Sequence, residues 1–380
     1  MSRALDEAGL LSNLQVKLTD KKQEISVGID NFHLLLDHLP PNPSFTKALT
    51  PLMTYQKSSK IVTSYTSKLL NLNPKAKPGL GIIYPTGDIG LVYPSWYPIP
   101  SLASHYGSDN DSGGTIQGRF SCRKPGAQTF PPPIMKCLHS RFPGGKIIGY
   151  DLSQIELRIG ALLSGDPIML REYAEGIDRH TQTALDIWPD ADINAPDFRK
   201  TKRQGGKTLN FLVIYRGRAL KYQETMMKDH GLFIPLEICQ DAISRFDKRY
   251  YEFRRWQEKN IEFVKKHGYL EIVTGWSRYW GKGHSMEKAV SEICDFPIQT
   301  ISAQLLQSAQ FAIECEILQN NLRSYVMLQI HDALYTDVCP GEEKIIDEFM
   351  GIYLTRPPLL GIVENSLGRT VPILYEKQVY

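Results

Sequence analysis

The sequence predicts an α+β fold in which long helical stretches alternate with a few short strands. Apolar residues recur at helical spacing over much of residues 1–70 and 171–290. Short apolar runs broken by turn residues occur near residues 80–93 and 326–338, and each indicates a two-stranded hairpin. The chain has 380 residues, of which 42% are hydrophobic, so we expect two or three packed subdomains with a sizeable core.

Composition narrows the classes of protein without selecting one. The 44 basic and 41 acidic residues give a net charge of +3, which indicates no particular partner. No signal-peptide pattern is present and no apolar stretch approaches the roughly 20 residues that span a bilayer, so we expect a soluble intracellular protein. The 6 cysteines are scattered and lack metal-ligand spacing, which favours reduced thiols.

The first helical region ends in a lysine-rich stretch. Helices are expected over residues 1–70, interrupted at "HLPPNPS". Residues 56–77 contain 5 lysines, among them Lys60, and no acid, a composition that suits contact with phosphates. A solvated helix face explains the same pattern and is the preferred interpretation of this stretch alone.

The next region is rich in turn residues. "GLGIIYPTGDIGLVY" predicts a hairpin that turns at "PTGD", and "GSDNDSGGT" predicts a flexible loop. The segment "GRFSCRKPGAQTFPPP" is too interrupted by Pro and Gly for regular structure, so we expect a loop that presents hydrogen-bond donors. These donors are Arg119, Arg123, Lys124 and Gln128.

Polar residues concentrate where an apolar strand passes into an amphipathic helix, in "KIIGYDLSQIELRIGALLSGDP". Asp151 follows the strand, and the helix is expected to pack through one apolar side that holds the carboxylate in place. That side consists of Ile155, Ile159, Leu162 and Leu163. A rigidly held carboxylate is a suitable magnesium ligand.

A second acid, Asp332, occurs in a comparable setting, in the turn of "QIHDAL". Adjacent central strands would bring Asp151 and Asp332 together, and paired aspartates bridge two cations about 3.5–4 Å apart in phosphoryl displacement. Each aspartate alone is more often a helix cap or a turn residue, so both interpretations stay open at this point.

A basic window supplies the third pattern. Residues 199–228 contain 9 Lys or Arg and 1 acid, Glu224. In "RQGGKTLNFLVIY" two cations and two aromatics recur every four residues along one predicted helix: Arg203, Lys207, Phe211 and Tyr215. The first three extend over roughly 12 Å, about the length of a nucleoside triphosphate. A helix with solvated cations and core aromatics is the alternative, and His180 is either a further phosphate donor or structural.

Four motifs together resemble the bacterial DNA polymerase I family, family A. "DLSQIELR" resembles its first catalytic motif, "RQGGKTLNF" with Tyr215 its nucleotide-binding helix, "QIHDA" its second metal-binding turn, and "GRFSCRKPGAQTFP" its primer-template loop. The resemblance extends from about residue 55 to the C-terminus. Four motifs in the family's order are more specific than any one alone.

The resemblance implies a right-hand polymerase fold with an antiparallel-sheet palm, helical fingers and a helical thumb. The expected parts are residues 1–70 for the thumb, 71–170 for the first part of the palm, 171–290 for the fingers and 291–380 for the second part of the palm.

The resemblance also implies roles for individual residues. Asp151 and Asp332 are expected to bind two magnesium ions, for which manganese can substitute, and Lys207 to donate a proton to the leaving pyrophosphate. The other expected nucleotide-binding residues are Arg203, His180, Phe211, Gln154, Tyr215 near the templating base, and Glu156 as the gate against a ribose 2′-hydroxyl. The expected DNA-binding residues are Arg119, Gln128, Gln299, His331 and Lys60.

Primer-template DNA and deoxynucleoside triphosphates are the partners that the resemblance implies, in the cytoplasm of a bacterial or phage-infected cell or in an organelle. We expect a monomer. The sequence leaves no room for a proofreading nuclease domain, and a separate exonuclease, helicase or processivity protein is a further partner to consider. Phe211 further implies poor use of dideoxynucleotides.

Four residues depart from the family pattern: Leu152, Leu212, Arg216 and Ala333, the last standing where the family commonly has Glu. Alternatives are therefore a single-subunit RNA polymerase, against which Glu156 argues, and a DNA-binding relic without activity. A metal-dependent nuclease would explain the paired aspartates but gives no reason for the stripe from Arg203 to Tyr215.

Overall fold

A computed structural model describes most of the chain from residue 55 onward. The described residues are 55, 58–66, 69, 84–86, 89–98, 114–123, 125–230, 232–281 and 285–380, without the side chains of 84–86, 89–91 and 286–288. The helices predicted before residue 55 lie outside the described residues, and so do Lys124 and most of the predicted flexible loop.

The chain divides into two compact units. Among the described residues, the first unit contains His180–Val213, Gly217–Arg245 and the residues before Lys68. The second unit contains Ile214–Arg216, Phe246–Tyr380 and the described part of Lys68–Arg179. The predicted boundaries of thumb, palm and fingers stay predictions.

The strands form antiparallel pairs. Within the described residues they are β1 Tyr84–Thr86, β2 Ile89–Leu91, β3 Ser95–Tyr97, β4 Ser121–Arg123, β5 Lys146–Leu152, β6 Tyr269–Glu271, β7 Ser277–Tyr279, β8 Tyr325–Ile330, β9 Ala333–Val338 and β10 Tyr375–Val379. β1 pairs with β2, β3 with β4 and β6 with β7, while a four-stranded sheet has the order β10-β5-β9-β8.

Helices make up most of the remaining regular structure. In the same part of the chain they are α1 Pro132–Met135, α2 Ile155–Ser164, α3 Pro167–Ala174, α4 Arg179–Ile187, α5 Lys202–Ile214, α6 Ala219–His230, α7 Leu236–Arg249, α8 Tyr251–His267, α9 Met286–Gln319, α10 Glu343–Thr355 and α11 Pro358–Leu367. Single turns of π-helix and 3-10 helix occupy Val62–Thr66 and Ala127–Thr129.

The four-stranded sheet is the framework of the second unit. Four consecutive residues of β5, residues 147–150, are buried, as expected of a strand that pairs with another strand on each side. β8 and β9 form the predicted hairpin, and its two-residue turn begins with His331 at φ 51°. A positive φ at this position is typical of tight hairpin turns. The long helix α9 packs against α2, α8, α10 and α11 of the same unit.

The helix after β5 differs from the prediction in one respect, because it is buried on all sides. Every residue of α2 from Ile155 to Leu163 is buried, including Glu156 and Arg158. Arg158 donates through Nε to the carbonyl of Ser153 at 2.9 Å and through a terminal nitrogen to the carbonyl of Pro372 at 2.6 Å. These bonds satisfy its buried guanidinium and fix the strand-to-helix junction.

Three local predictions were wrong. The segment expected to lack regular structure contains β4, a 3-10 turn and the first residues of α1. β4 forms because the distant strand β3 pairs with it. The region expected to be helical up to residue 290 contains the hairpin β6–β7. Tyr215, expected on the same helix as Arg203, follows the last residue of α5 and belongs to the second unit.

Among the described residues, no helix is both long and apolar enough to cross a membrane.

Candidate active site

The two aspartates singled out in the sequence lie on adjacent strands of the second unit. Asp151 is the penultimate residue of β5, and its backbone pairs with Ala333 at the start of β9. The backbone N–H of Leu152 donates to the carbonyl of Asp332 at 3.0 Å, which links the strand end to the hairpin turn. The predicted adjacency of these two residues is therefore confirmed.

The environments of the two carboxylates differ. The Asp151 side chain is exposed, whereas that of Asp332 is half-buried. Burial raises the pKa of Asp332 to about 6, with Arg119 opposing and the charges of Glu156 and Asp151 adding to the increase. A carboxyl with this pKa, close to other acids, is stabilised in its charged form by a bound cation.

Glu156 accepts hydrogen bonds from two residues that the sequence places far apart. Arg119 donates to Oε1 of Glu156 at 2.5 Å and to Oδ1 of Asp332 at 3.3 Å. The Tyr215 hydroxyl donates to Oε2 of Glu156, and Gln299 donates to that hydroxyl at 3.3 Å. Five predicted site residues thus form one network within the second unit.

The network changes the ionisation of its members. Burial lowers the pKa of Arg119, but the charges of Asp332 and Glu156 outweigh this effect, so the pKa lies above its ordinary value. Burial, together with the charge of Glu156, raises the pKa of Tyr215. At neutral pH Arg119 is therefore a cation and the Tyr215 hydroxyl a donor.

Three further predicted site residues, two for DNA and one for the nucleotide, belong to the same unit. Gln128 donates to the carbonyls of Phe120 at 2.9 Å and Gln329 at 3.3 Å, which ties the 3-10 turn to β8. His331 is exposed in the hairpin turn beside Asp332. Gln154 sits in the left-handed conformation at φ 55° between β5 and α2, near Asp178 and Tyr173.

The predicted phosphate-binding residues belong to the first unit. On α5, Lys207 is exposed and Arg203 partly exposed, and the Lys207 ammonium lies 5.9 Å from the centre of the Phe211 ring. His180 is only 2% exposed, its ring centre is 6.1 Å from that of Phe211, and its Nδ1 is 3.1 Å from the Asn210 amide nitrogen. Lys60 is exposed in the described part of the N-terminal region.

Glycine explains how α5 approaches α4 inside the first unit. A Cβ on Gly206 would stand 2.3 Å from the carbonyl oxygen of His180 and 2.8 Å from the backbone nitrogen of Ala184. Only a residue without a side chain permits this spacing. The "GG" pair inside a predicted helix is the sequence signal that indicates this close packing of α4 and α5.

Asp295 is an acid near this network that sequence reasoning did not single out. It lies on α9 one turn before Gln299, and Gln117 donates to its Oδ2 at 3.4 Å. Burial raises the pKa of Asp295 to about 7, and the charge of Glu156 contributes in the same direction. No sequence motif marked it, because its setting arises from the packing of distant segments.

The aspartate pair suits magnesium better than a metal that needs a full set of protein ligands. The described residues contain no group of three or more His, Cys, Asp and Glu that could hold a metal ion. Magnesium is usually bound by one or two carboxylates, with waters and substrate phosphates completing its ligands. Asp151 and Asp332 match that requirement, and Ala333 removes the further acid that the family commonly has beside Asp332.

The fold is shared with a solved polymerase domain. The chain is similar to the POL domain of Pol1 from M. smegmatis in complex with DNA primer-template and dNTP, with a TM-score of 0.69 and 19% sequence identity. The similarity covers 100% of this chain and 60% of that chain. It establishes that this chain shares the fold of that polymerase domain.

Sequence comparison shows the family to which the chain belongs. The family described as DNA polymerase family A matches residues 8–356. The chain is 30% identical over 273 residues to DNA polymerase I, thermostable, of Thermus aquaticus, covering 67% of this chain and 31% of that protein. It is 25% identical over 359 residues to the DNA polymerase of Bacillus phage SP01, covering 86% and 35%.

The chain belongs to DNA polymerase family A, as the extent of the family match shows. The matches span 31% and 35% of the length of these two relatives.

Proposed function

We propose that this chain is a template-directed DNA polymerase that adds deoxynucleotides to a primer 3′-hydroxyl. The observation that supports this most is the position of Asp151 and Asp332 on adjacent strands within a family A domain. Phosphoryl transfer relies mainly on positioning and charge stabilisation, and both are tasks that rigid strand ends perform well.

Asp151 and Asp332 are the proposed ligands of two magnesium ions. When bound, the ions neutralise charge on the attacking and leaving oxygens. Asp151 lies on a strand of the four-stranded sheet, and Asp332 lies in the turn of the β8–β9 hairpin. Manganese, which also accepts oxygen ligands, is expected to substitute.

The first unit supplies the proposed contacts to the nucleotide tail. Arg203, Lys207 and His180 bind the triphosphate in this proposal, and Lys207 donates a proton to the leaving pyrophosphate. The exposure of Lys207 and the partial exposure of Arg203 support these roles. His180 is buried, so its role requires a local rearrangement when the nucleotide binds. Phe211 packs against the sugar and base.

The second unit supplies the proposed contacts to the sugar, the template and the duplex. Glu156, with Gln154 beside it, closes the space of a ribose 2′-hydroxyl, and Tyr215 lies near the templating base. Arg119, Gln128, Gln299 and His331 contact the primer-template duplex, to which Lys60 of the first unit adds a phosphate contact. Such contacts detect the shape of a base pair more than its sequence.

A primer-extension assay with an end-labelled duplex tests this proposal. Asp151→Asn should reduce extension by roughly 100-fold or more while DNA binding persists, since loss of one preorganised charge partner has effects of this size. A chelator should abolish extension by the parent and fresh magnesium should restore it. The control is Asp241→Asn, an aspartate with a side chain 56% exposed and paired with Arg245. A parent protein that binds DNA but never extends the primer would instead support an inactive relic.

We further propose that these 380 residues do not edit, because the family match occupies residues 8–356. A primer with a mismatched 3′ end should keep its length when nucleotides are withheld. Release of the mismatched nucleotide would contradict this part of the proposal.

A further inference from the structure

The Asp295 carboxyl lies near the proposed active site and has few hydrogen-bond partners. Its Oδ2 accepts one long hydrogen bond, 3.4 Å from Gln117, while its Oδ1 is buried and has no hydrogen-bond partner in the described structure. A buried carboxylate that accepts only one long hydrogen bond is costly, because its charge has lost the stabilisation of water, and protonation removes that charge. This geometry favours the protonated form.

The charged groups that face Asp295 come from several elements. Glu156 on α2 raises the pKa of this carboxyl further, after burial itself, which has the largest effect. Arg119 from the segment before β4 and Arg278 on β7 lower it, as does the hydrogen bond from Gln117. Arg278 is itself paired with Glu292, so it neutralises Asp295 only in part.

We propose that Asp295 is a positioning residue that acts in its neutral form and keeps Arg119 engaged with Glu156 and Asp332. The inference rests on the proposed function, because Arg119 and Glu156 are the residues proposed to contact the duplex and the sugar. Asp295 itself need not touch the substrate, since its unpartnered oxygen is buried.

Loss of the Asp295 proton would place a further carboxylate within the field of Arg119. That guanidinium is already shared between Glu156 at 2.5 Å and Asp332 at 3.3 Å. A third acceptor would draw it away from this arrangement, and the added negative charge would repel the incoming nucleotide. Nucleotide binding should therefore weaken as the pH rises through the pKa of Asp295, about 7.

The kinetic test compares the parent with Asp295→Asn, which has nearly the same shape and stays neutral. Below pH 7, the KM for deoxynucleotide of the parent divided by that of the variant should be near one. Above pH 7, this ratio should rise by up to tenfold per pH unit, which is the limit for one titrating proton. Asp241→Asn, at an exposed aspartate, should follow the parent at every pH. A ratio that does not change with pH would overturn the proposal.

A second measurement does not depend on polymerase activity. An acid with a raised pKa in the folded state binds its proton more tightly there than when unfolded, so stability falls as the pH rises from about 4 to about 7. The melting temperature of Asp295→Asn minus that of the parent should therefore increase by several degrees over this range. A constant difference would overturn the proposal even if the chain copies DNA.

The two measurements also separate this inference from the proposed function. A parent that extends no primer refutes the function, while the melting curves still decide whether Asp295 holds a proton. If the melting difference changes with pH but the KM ratio does not, Asp295 is protonated in the folded protein but does not position Arg119, and the proposal is refuted. Asp295→Ser, also small and neutral, replaces Asp295→Asn if that variant does not fold.

Discussion

At the scale of single residues, Glu156 is the point on which the second unit's site network depends. It is 6% exposed, and its two oxygens accept from Arg119 and Tyr215. Under the proposed function this side chain has two roles, since the carboxylate proposed to exclude a 2′-hydroxyl also accepts hydrogen bonds from residues proposed to contact the duplex and the template.

Replacing Glu156 with Ala tests both roles. Arg119 and Tyr215 would lose their shared acceptor, so the free energy of unfolding should fall by about 2–3 kcal/mol. The preference for deoxynucleotides over ribonucleotides should also decrease, because the side chain no longer fills the space of the hydroxyl. Urea unfolding and primer extension with each class of nucleotide measure the two effects.

The matched control is Glu262→Ala, at an exposed position of α8. Surface substitutions of this kind usually change stability by less than about 0.5 kcal/mol. If Glu156→Ala leaves the sugar preference of the parent unchanged, the gate assignment is wrong. Equal use of both nucleotide classes by the parent itself would lead to the same conclusion.

Phe211 leads to a prediction about chain terminators. Its phenyl ring has no hydrogen-bonding group that could replace the 3′-hydroxyl that a dideoxynucleotide lacks. The parent should therefore incorporate dideoxynucleotides much less efficiently than deoxynucleotides when the two compete. The ratio of terminated to extended primers measures this preference, and a ratio near one would contradict the role given to Phe211.

At the scale of elements, the close contact of α4 and α5 depends on Gly206. Gly206→Ala should lower the melting temperature of the first unit, because the new methyl group would overlap the His180 carbonyl and overpacking of this kind costs about 1–3 kcal/mol. The affinity for deoxynucleotide should fall as well, since Arg203 and Lys207 lie on the displaced helix.

Gly361 on α11 provides the control for helix propensity. A Cβ there meets no atom within 4 Å, so Gly361→Ala should stabilise the protein by about 0.5–1 kcal/mol. Scanning calorimetry of both variants measures the two changes in stability, which should have opposite signs. A stabilising Gly206→Ala would show that α4 and α5 are not packed as closely as described.

The sequence was informative where the pattern was local. The β8–β9 hairpin was predicted from a polar turn between two apolar runs, and the β5-to-α2 junction from a strand followed by helical periodicity. The adjacency of Asp151 and Asp332 followed from placing both at the ends of central strands.

Features that depend on distant partners could not be predicted in this way. β4 is a strand because β3 pairs with it, although its own segment is rich in Pro and Gly. Tyr215 fits the helical spacing, yet α5 ends one residue earlier and Tyr215 bonds with Glu156. The pKa of Asp295 likewise results from burial and from charges on other segments.

At the scale of the whole molecule, the proposed function uses residues of both compact units. The first contains α5 with Arg203 and Lys207, and the second contains the sheet with Asp151 and Asp332. Membership of DNA polymerase family A rests on a match that includes both units. The proposed chemistry depends first on the two aspartates acting together.

A double-mutant cycle on magnesium-dependent primer extension tests this central claim most directly. Asp151→Asn and Asp332→Asn should each remove nearly all extension, and the double variant should lose little more, because two ligands of one metal centre act as a unit. Independent losses that multiply in the double variant, or substantial extension by either single variant, would contradict the account.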